Sequence, residues 1–343
     1  MNASIIADYL KQFEDYAPEP PKEADSSAAS SNSNKFDNGH IFYALLEYII
    51  RELPEREKHT YCYSLSQKLL RVCQSKERNV ATYFVNKVEE QYALLNEEQA
   101  LEYHALRSIF NPVMAYYHYY LQHDYERAEG YMLGLLENID YLIGHGFLDG
   151  MYMKIEQYLN TARVYFNAGQ YDKSARYARV VMQYLLSSGK ETFEFPFSEV
   201  LRSANQLNSI LALFFNGLIF KALAKPESGA FFRNDFLLAV FREMDISFNE
   251  MMEPATRDAL AILLRISEGE EEEGLEMALD TQIFNEKVPA SMRYFVLTAL
   301  LHHNNAGDLL PEPLKNNIRL YQEKELGLTA SQINVLRPLN AIV

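Results

Sequence analysis

The sequence predicts an all-α protein built from antiparallel helical hairpins, and three observations indicate this. Apolar residues recur at helical spacing along most of the chain from about residue 40, turn signals separate these stretches, and the long alternating runs typical of strands are lacking. Hydrophobic residues make up 48% of the 343 positions, which supplies enough apolar surface for a folded core. We therefore expect stacked hairpins with long, irregular repeats.

The first element is an amphipathic helix within residues 1–16. Its apolar residues follow helical spacing, and they are Ile5, Ile6, Tyr9, Leu10 and Phe13. Residues 17–39 are predicted to be a flexible linker, because positions 18–34 are rich in Pro, Ser, Ala and Asn and lack large apolar side chains. A tethered helix of this kind reaches a groove in the same or another molecule, or it is a frayed terminus that packs on the first hairpin.

Residues 40–335 form the predicted helical-repeat domain. Turns are expected near residues 75–79, at His123, at Gly169, and near residues 225–229, 268–273 and 304–308. Residues 336–343 form an apolar C-terminal tail that could cap the last hairpin or dock elsewhere.

The clearest hairpin begins at Met151, where two apolar stripes flank a turn at Gly169. Aromatic, small and glycine residues follow each other there at characteristic spacing, and they are Tyr158, Ala162, Tyr165, Gly169, Tyr171, Ser174 and Ala178. This pattern resembles the tetratricopeptide repeat family, with departures at Thr161 and Val181. The resemblance covers residues 112–187 specifically.

A weaker copy lies upstream, with Tyr119, Tyr125, Ala128 and Met132 at matching positions and His123 in place of the turn glycine. Asn111 and Pro112 are expected to be the N-cap and first residue of its first helix. Tyr125 and Tyr171 are 46 residues apart, longer than the about 34 residues of the standard repeat.

The resemblance implies a right-handed solenoid in which the first helix of each hairpin lines a concave groove. Carried over to the matching positions, it implies that the groove is lined by Leu159, Arg163, Phe166 and Asn167 in the clear unit and by Val113, Tyr117, Tyr120 and Leu121 in the weaker one. We take Tyr117, Tyr120, Arg163, Phe166 and Asn167 as the partner-binding set, because aromatic and Arg side chains commonly dominate binding energy.

The net charge limits the class of partner, and the cysteines indicate the redox environment of the chain. The net charge of −15 argues against nucleic acid and an anionic membrane surface, and it is compatible with a basic or amphipathic peptide or protein. Cys62 and Cys73 lie about three helical turns apart, too far for a disulfide, so both are expected to be buried thiols. With neither a signal-peptide pattern nor a membrane span in the sequence, a cytoplasmic location is expected.

The sequence lacks the common catalytic motifs. The histidines form no zinc signature, Gly189-Lys190 lacks the other residues of a phosphate loop, and no nucleophile elbow occurs. We expect no catalytic residue, cofactor or metal. The sequence thus favours a non-catalytic binding or scaffold protein. Two alternatives stay open: a peptide- or metabolite-sensing regulator with an autoinhibitory N-terminal helix, and an enzyme in which His and carboxylate groups meet in a helical pocket.

Overall fold

The structure is a computed structural model that describes residues 1–17, 56–95, 100–186, 204–219, 236–241, 244 and 252–328. The described residues form helices and turns and contain no strand, which confirms the all-α prediction. Residues 18–39 of the linker, the turn near 225–229 and the tail at 336–343 lie outside the described residues. The chain divides into two compact units, one of Asn38–Tyr184 with Phe193–Phe197, the other of Met1–Asp37, Leu185–Thr192 and Ser198–Val343.

The described part of the unit of Asn38–Tyr184 forms three consecutive helical hairpins. Helices α2 and α3 pair first, α4 and α5 second, and α6 and α7 third, where α7 ends two residues past the unit. Their bounds are Arg56–Gln74, Arg78–Tyr92, Ala100–Tyr116, Tyr125–Gly144, Gly150–Asn167 and Tyr171–Leu186 for α2 to α7. A continuous apolar core joins α2 to α6, and Leu69, Leu106, Phe110 and Met114 lie fully buried in it.

One turn geometry recurs in these hairpins. Lys76, His123 and Gly169 have left-handed backbones with φ of 60°, 57° and 73°, and in each case the next helix begins two residues later. Gly269, in the other unit, has a φ of 90° and the same position before a helix that begins at Glu271. Left-handed residues, including Asn304 and Asn305 with φ of 48° and 56°, therefore mark turns at all five expected places that lie among the described residues. A left-handed residue commonly ends a helix in this way.

The hydrogen bonds of these turns explain the geometry. The amide of the residue after the left-handed one donates to a carbonyl five residues back, so that an otherwise unpaired carbonyl at the helix end is satisfied. These bonds join Glu77 to Val72 at 3.0 Å, Gln170 to Tyr165 at 2.9 Å, and Glu270 to Arg265 at 3.0 Å. At the His123 turn the bond runs from Asp124 to His118, six residues back, at 3.0 Å.

The extra residue at the His123 turn belongs to a π-helical turn, Tyr117–Gln122, that continues α4. A π turn inserts one residue into the helix, so the side chains within and beyond it are rotated relative to an unbroken α-helix. The expectation that this helix starts at Pro112 was wrong, because Pro112 lies inside α4, which begins at Ala100. Asn111 is buried and accepts a hydrogen bond from the Tyr92 hydroxyl instead of capping the helix.

The unit that includes both ends of the chain contains α1 and the helices after residue 204. These are α1 at Ala3–Leu10 and α8 to α13 at Ala204–Phe214, Leu237–Phe241, Pro254–Ser267, Glu271–Leu279, Ala290–His302 and Glu312–Lys324. Helices α10 and α11 approach closely at Gly274, where an added Cβ would lie 2.8 Å from Ile266 Cγ1. A 3₁₀ segment at His303–Leu309 separates α12 from α13, near the turn expected at 304–308, and α1 packs against it.

Candidate functional site

Helix α6 offers a single narrow stripe of partly accessible residues. Every residue of α6 is buried except five that follow each other at intervals of three or four, namely Tyr152, Glu156, Asn160, Arg163 and Asn167. The interval places them on one face of the helix. We call this face the α6 stripe. It is polar throughout, because the apolar residues of α6 all point into the hairpins around it.

Three tyrosines lie together where α4 passes into its π turn, and we call Tyr116, Tyr119 and Tyr120 the tyrosine cluster. The rings of Tyr116 and Tyr120 stack with centroids 4.9 Å apart and an interplanar angle of 22°. Tyr119 meets Tyr116 edge-on at 5.2 Å. All three residues are partly buried and pack against the apolar core of the unit. Half-buried phenols combine a large apolar surface with a hydroxyl, which suits them to contact with another molecule.

Two cations border the tyrosine cluster. Lys76, the left-handed residue between α2 and α3, places its Nζ 5.9 Å from the centroid of the Tyr120 ring. Arg163 of the α6 stripe lies close enough to Tyr119 for its charge to favour the ionised phenol. Burial outweighs that charge and raises the pKa of Tyr119 to about 12, so Tyr119 keeps its hydroxyl proton at physiological pH.

Desolvation also lowers the pKa of Arg163, while Tyr119 and Glu156 act in the opposite direction. An Arg guanidinium stays charged under any ordinary condition, so its positive charge persists at the edge of the cluster. Arg163 is held in place within the α6 stripe: its Nη1 donates to Asn160 Oδ1 at 2.8 Å, and its carbonyl accepts from Asn167 Nδ2 at 2.8 Å. The cluster and the stripe thus form one surface on the first helices of two consecutive hairpins.

The five residues predicted to bind a partner are distributed differently. Tyr120 and Arg163 belong to this surface. Tyr117 is only 7% exposed, and its hydroxyl accepts a hydrogen bond from Gln122 and lies 3.3 Å from Thr82 of α3. Phe166 is 5% exposed and packs edge-on against Tyr171. Tyr117 and Phe166 therefore supply internal packing.

Asn167 lies on the α6 stripe, but its side-chain amide already donates to the Arg163 carbonyl in the last turn of its own helix. The other groove positions implied by the resemblance, Leu159, Val113 and Leu121, are all buried. The resemblance did not select Tyr116 or Tyr119, although the intervals of three and four residues from Tyr116 to Tyr119 and Tyr120 place all three tyrosines on one helical face. The sequence signal was present in the run Tyr116-Tyr117-His118-Tyr119-Tyr120, whose aromatic residues exceed what one buried face needs.

Acid–base groups meet elsewhere in the same unit. Glu102 of α4 is buried and its Oε1 lies 2.9 Å from Lys58 Nζ and 3.6 Å from His59 Nε2. His59 is fully buried. A histidine, a carboxylate and an ammonium group at these distances can exchange protons, but this set ties α2 to α4 inside the core.

Cys62 and Cys73 are free, buried thiols, as expected. Burial raises the pKa of Cys62 to about 11 and that of Cys73 to about 12. Within the described ranges, His, Cys, Asp and Glu side chains nowhere gather in a group of three that could hold a metal ion. Among the helices that the structure describes, none has the length and apolar character needed to cross a membrane.

The surface formed by the tyrosine cluster and the α6 stripe is therefore the best-supported candidate for a binding site. No protein-family model, curated protein or solved structure matches this chain.

Proposed function

We propose that this chain is a non-catalytic binding protein that holds a segment of a partner protein against the tyrosine cluster and the α6 stripe. The observation that carries the proposal is the half-buried, stacked pair Tyr116 and Tyr120 beside two cations. Aromatic rings and Arg side chains dominate the binding energy of protein interfaces when a partner excludes water from them. The three tyrosines pack against the apolar core of this unit and stay partly accessible beside the α6 stripe.

The proposal includes a solenoid-like stacking of the three hairpins of this unit, similar to tetratricopeptide repeats. The recurring turn at Lys76, His123 and Gly169 supports it, because a repeat protein reuses one supersecondary unit. The surface lies on α4 and α6, the first helices of their hairpins, which are the helices that line the groove in that family.

An amphipathic segment is the partner that this chemistry favours. Its apolar side chains would cover the tyrosine rings, and its polar groups would meet Asn160, Arg163 and Asn167 on the α6 stripe. The net charge of −15 would steer a segment with basic flanks toward the chain. A cytoplasmic location belongs to the same proposal, and the two free thiols support it, since reducing compartments preserve them.

The test begins with a photo-crosslinking amino acid at position 120, introduced into the full chain in its native cells, and with identification of the crosslinked segment. Binding of that segment is then measured to Tyr116→Ala, Tyr120→Ala and Arg163→Ala. We expect each to weaken binding by about tenfold or more, the usual effect of truncating a central aromatic or Arg contact.

Tyr61 supplies the matched control, because it is 52% exposed on α2 of the same unit. Tyr61→Ala should leave the affinity within about twofold, as expected for a residue outside the contact. The proposal fails if the three variants, shown to be folded by circular dichroism, bind as tightly as the unaltered chain.

A second candidate function has a specific observation in its favour. Residues 1–16 were expected either to reach a groove or to pack as a frayed terminus on the first hairpin, and they are docked on elements late in the chain, near Phe284, Asn317 and Tyr321. A regulator whose N-terminal helix occupies a ligand site would show this contact. Deleting residues 1–34 should then raise the affinity for the ligand, and an unchanged affinity would eliminate this function.

A further inference from the structure

The N-terminal helix is anchored in its unit by three apolar side chains. Ile6 and Leu10 are fully buried and Phe13 is 4% exposed, and their spacing of four and three residues places them on one face. Ile5, on another face of the same helix, is 52% exposed. The helix therefore docks through one face only, as an amphipathic helix does in a groove.

The surface beneath it is aromatic. The ring of Phe13 lies 5.1 Å from that of Phe284 and 4.9 Å from that of Tyr321, centroid to centroid. Tyr9 lies 6.3 Å from Phe284. We call the surface beneath residues 1–16 the seat, and it consists of the His303–Leu309 segment, against which α1 packs, and of Thr281, Phe284, Asn317, Tyr321 and Glu325.

The seat also binds the backbone at the end of the docked segment. Asn317 Nδ2 donates to the carbonyl oxygen of Phe13 at 3.0 Å and to that of Glu14 at 2.7 Å. The Phe13 carbonyl also accepts from the Tyr16 amide at 3.2 Å, so Asn317 adds a second bond there and, through Glu14, binds the carbonyls at the end of the segment from another helix. Such bonds recognise where a helix ends and depend little on which residues it contains.

Two tyrosine hydroxyls of the segment add further bonds. The Tyr9 hydroxyl donates to the carbonyl of Thr281 at 3.0 Å, and the Tyr16 hydroxyl donates to Glu325 Oε1 at 3.1 Å. These bonds lie at both edges of the seat. A helix without these two hydroxyls would lose both hydrogen bonds and keep the apolar contact. The bonds therefore favour the segment of this chain over other helices.

Arg293 holds Tyr321 of the seat through contacts outside the segment. It is 7% exposed, its Nη1 donates to the Tyr321 hydroxyl at 2.9 Å, and its Nε donates to the Val288 carbonyl at 3.0 Å. These bonds position the Tyr321 hydroxyl independently of residues 1–16, and a side chain positioned in advance costs less to order on binding.

We propose that the seat is a receptor for an amphipathic helix of a partner protein, and that residues 1–16 occupy it in cis as a competitor. The partner helix carries apolar residues at i, i+4 and i+7, with Phe or a similar ring last, and ends one residue later. The seat contacts three apolar side chains and binds two backbone carbonyls. A helix of another protein can offer the same apolar side chains and the same carbonyls. This surface is distinct from the tyrosine cluster and goes beyond the function proposed above.

The docked helix is suited to exchange because it is short. Helix α1 has eight residues, fewer than a helix needs to be stable in water by itself, so it is ordered by docking and loses that order when displaced. The helix is covalently part of the chain, and intramolecular contacts of this kind have effective concentrations on the order of 1 mM. If a free helix binds the empty seat with a Kd of about 10 µM, the tethered helix should weaken its apparent affinity about 100-fold.

The test uses a fluorescein-labelled peptide of residues 1–17 and the full-length chain. Leu10→Ser with Phe13→Ser removes two anchors from the tethered helix and vacates the seat. Ile5→Ser is the matched control on the exposed face. By fluorescence anisotropy, we expect the peptide to bind the double variant about 100-fold more tightly than it binds the unaltered chain or Ile5→Ser.

Two further measurements separate a receptor from a purely internal contact. A peptide that keeps only Ile, Leu and Phe at positions 6, 10 and 13, among Ala, Gln and Lys, should bind the vacated seat within about tenfold of the native peptide. The same peptide with Leu and Phe moved by one position should not bind. Asn317→Leu in the vacated chain should weaken binding about tenfold, as expected for two lost hydrogen bonds.

The proposal is overturned if the native peptide binds the vacated chain no better than it binds the unaltered chain. It is equally overturned if only the native peptide binds and the pattern peptide does not, since the seat would then serve its own helix alone. Far-ultraviolet circular dichroism of the double variant checks that the rest of the chain keeps its helices. Binding at the tyrosine cluster is unaffected by either outcome, so the two proposals can fail separately.

Discussion

Replacing His123 with glycine should stabilise the chain, because His123 has a left-handed backbone with φ 57° and ψ 28°. That conformation costs a residue with a Cβ roughly 1–2 kcal/mol. Glycine avoids the cost but loses more backbone freedom on folding, which offsets about 0.5–1 kcal/mol. The net gain should be about 0.5–1 kcal/mol, or an increase in Tm of about 1–4 °C for a unit of this size.

The assay is thermal unfolding followed by circular dichroism, with His123→Ala as the matched control. Alanine keeps the Cβ and therefore the strain, so a gain seen with glycine alone must come from the backbone. The opposite change, Gly169→Ala, tests the same turn in the next hairpin. The Cβ of an alanine there would meet no atom within 4 Å, so only the φ of 73° can cost stability, by about 1 kcal/mol. A His123→Gly variant that is less stable than His123→Ala would refute the reasoning.

Two other predictions concern packing and burial. Gly274→Ala should lower the free energy of unfolding, measured by urea titration, by about 1–3 kcal/mol, because its Cβ would collide with Ile266. Gly130→Ala has open space around its Cβ and should raise that free energy by about 0.5–1 kcal/mol. Cys62 and Cys73 should resist alkylation by iodoacetamide at pH 8.5 in the native chain and react once it is unfolded, and fast native labelling would contradict their burial. Because burial raises both pKa values, the stabilisation from the neutral thiols should be complete below the unfolded value near 9.0 and decrease as the pH rises toward about 11 for Cys62 and about 12 for Cys73.

The turns were predictable because their causes are local. A helix that ends in a left-handed residue leaves a short signal in the sequence, and Gly169 and Gly269 are the residues that take this backbone at least cost. Even His123 could be located, from its place in the spacing of aromatic and small residues around it. The start of α4 was misplaced because Pro112 is tolerated inside that helix, where the buried environment of Asn111 outweighs the usual preference of proline for a first turn.

The candidate site was only half predictable. Tyr120 and Arg163 were identified from the resemblance, but Tyr116 and Tyr119 were not, and Tyr117 was assigned to the wrong face. Helical spacing by itself groups Tyr116, Tyr119 and Tyr120 on one face. Which face the neighbouring helices cover is decided by tertiary packing, and that packing buries Tyr117.

Short stretches of the chain encode the helical periodicity and the turn residues. An all-α protein with turns near residues 76, 123, 169 and 269 therefore follows from the sequence. The docking of residues 1–16 depends on contacts such as those of Phe13 with Phe284 and Tyr321, about 300 residues away in the chain. Amphipathicity shows that a helix will bury one face, but any apolar surface satisfies that need. Which surface it covers is a matter of shape and hydrogen-bond geometry, and those exist only once the chain has folded.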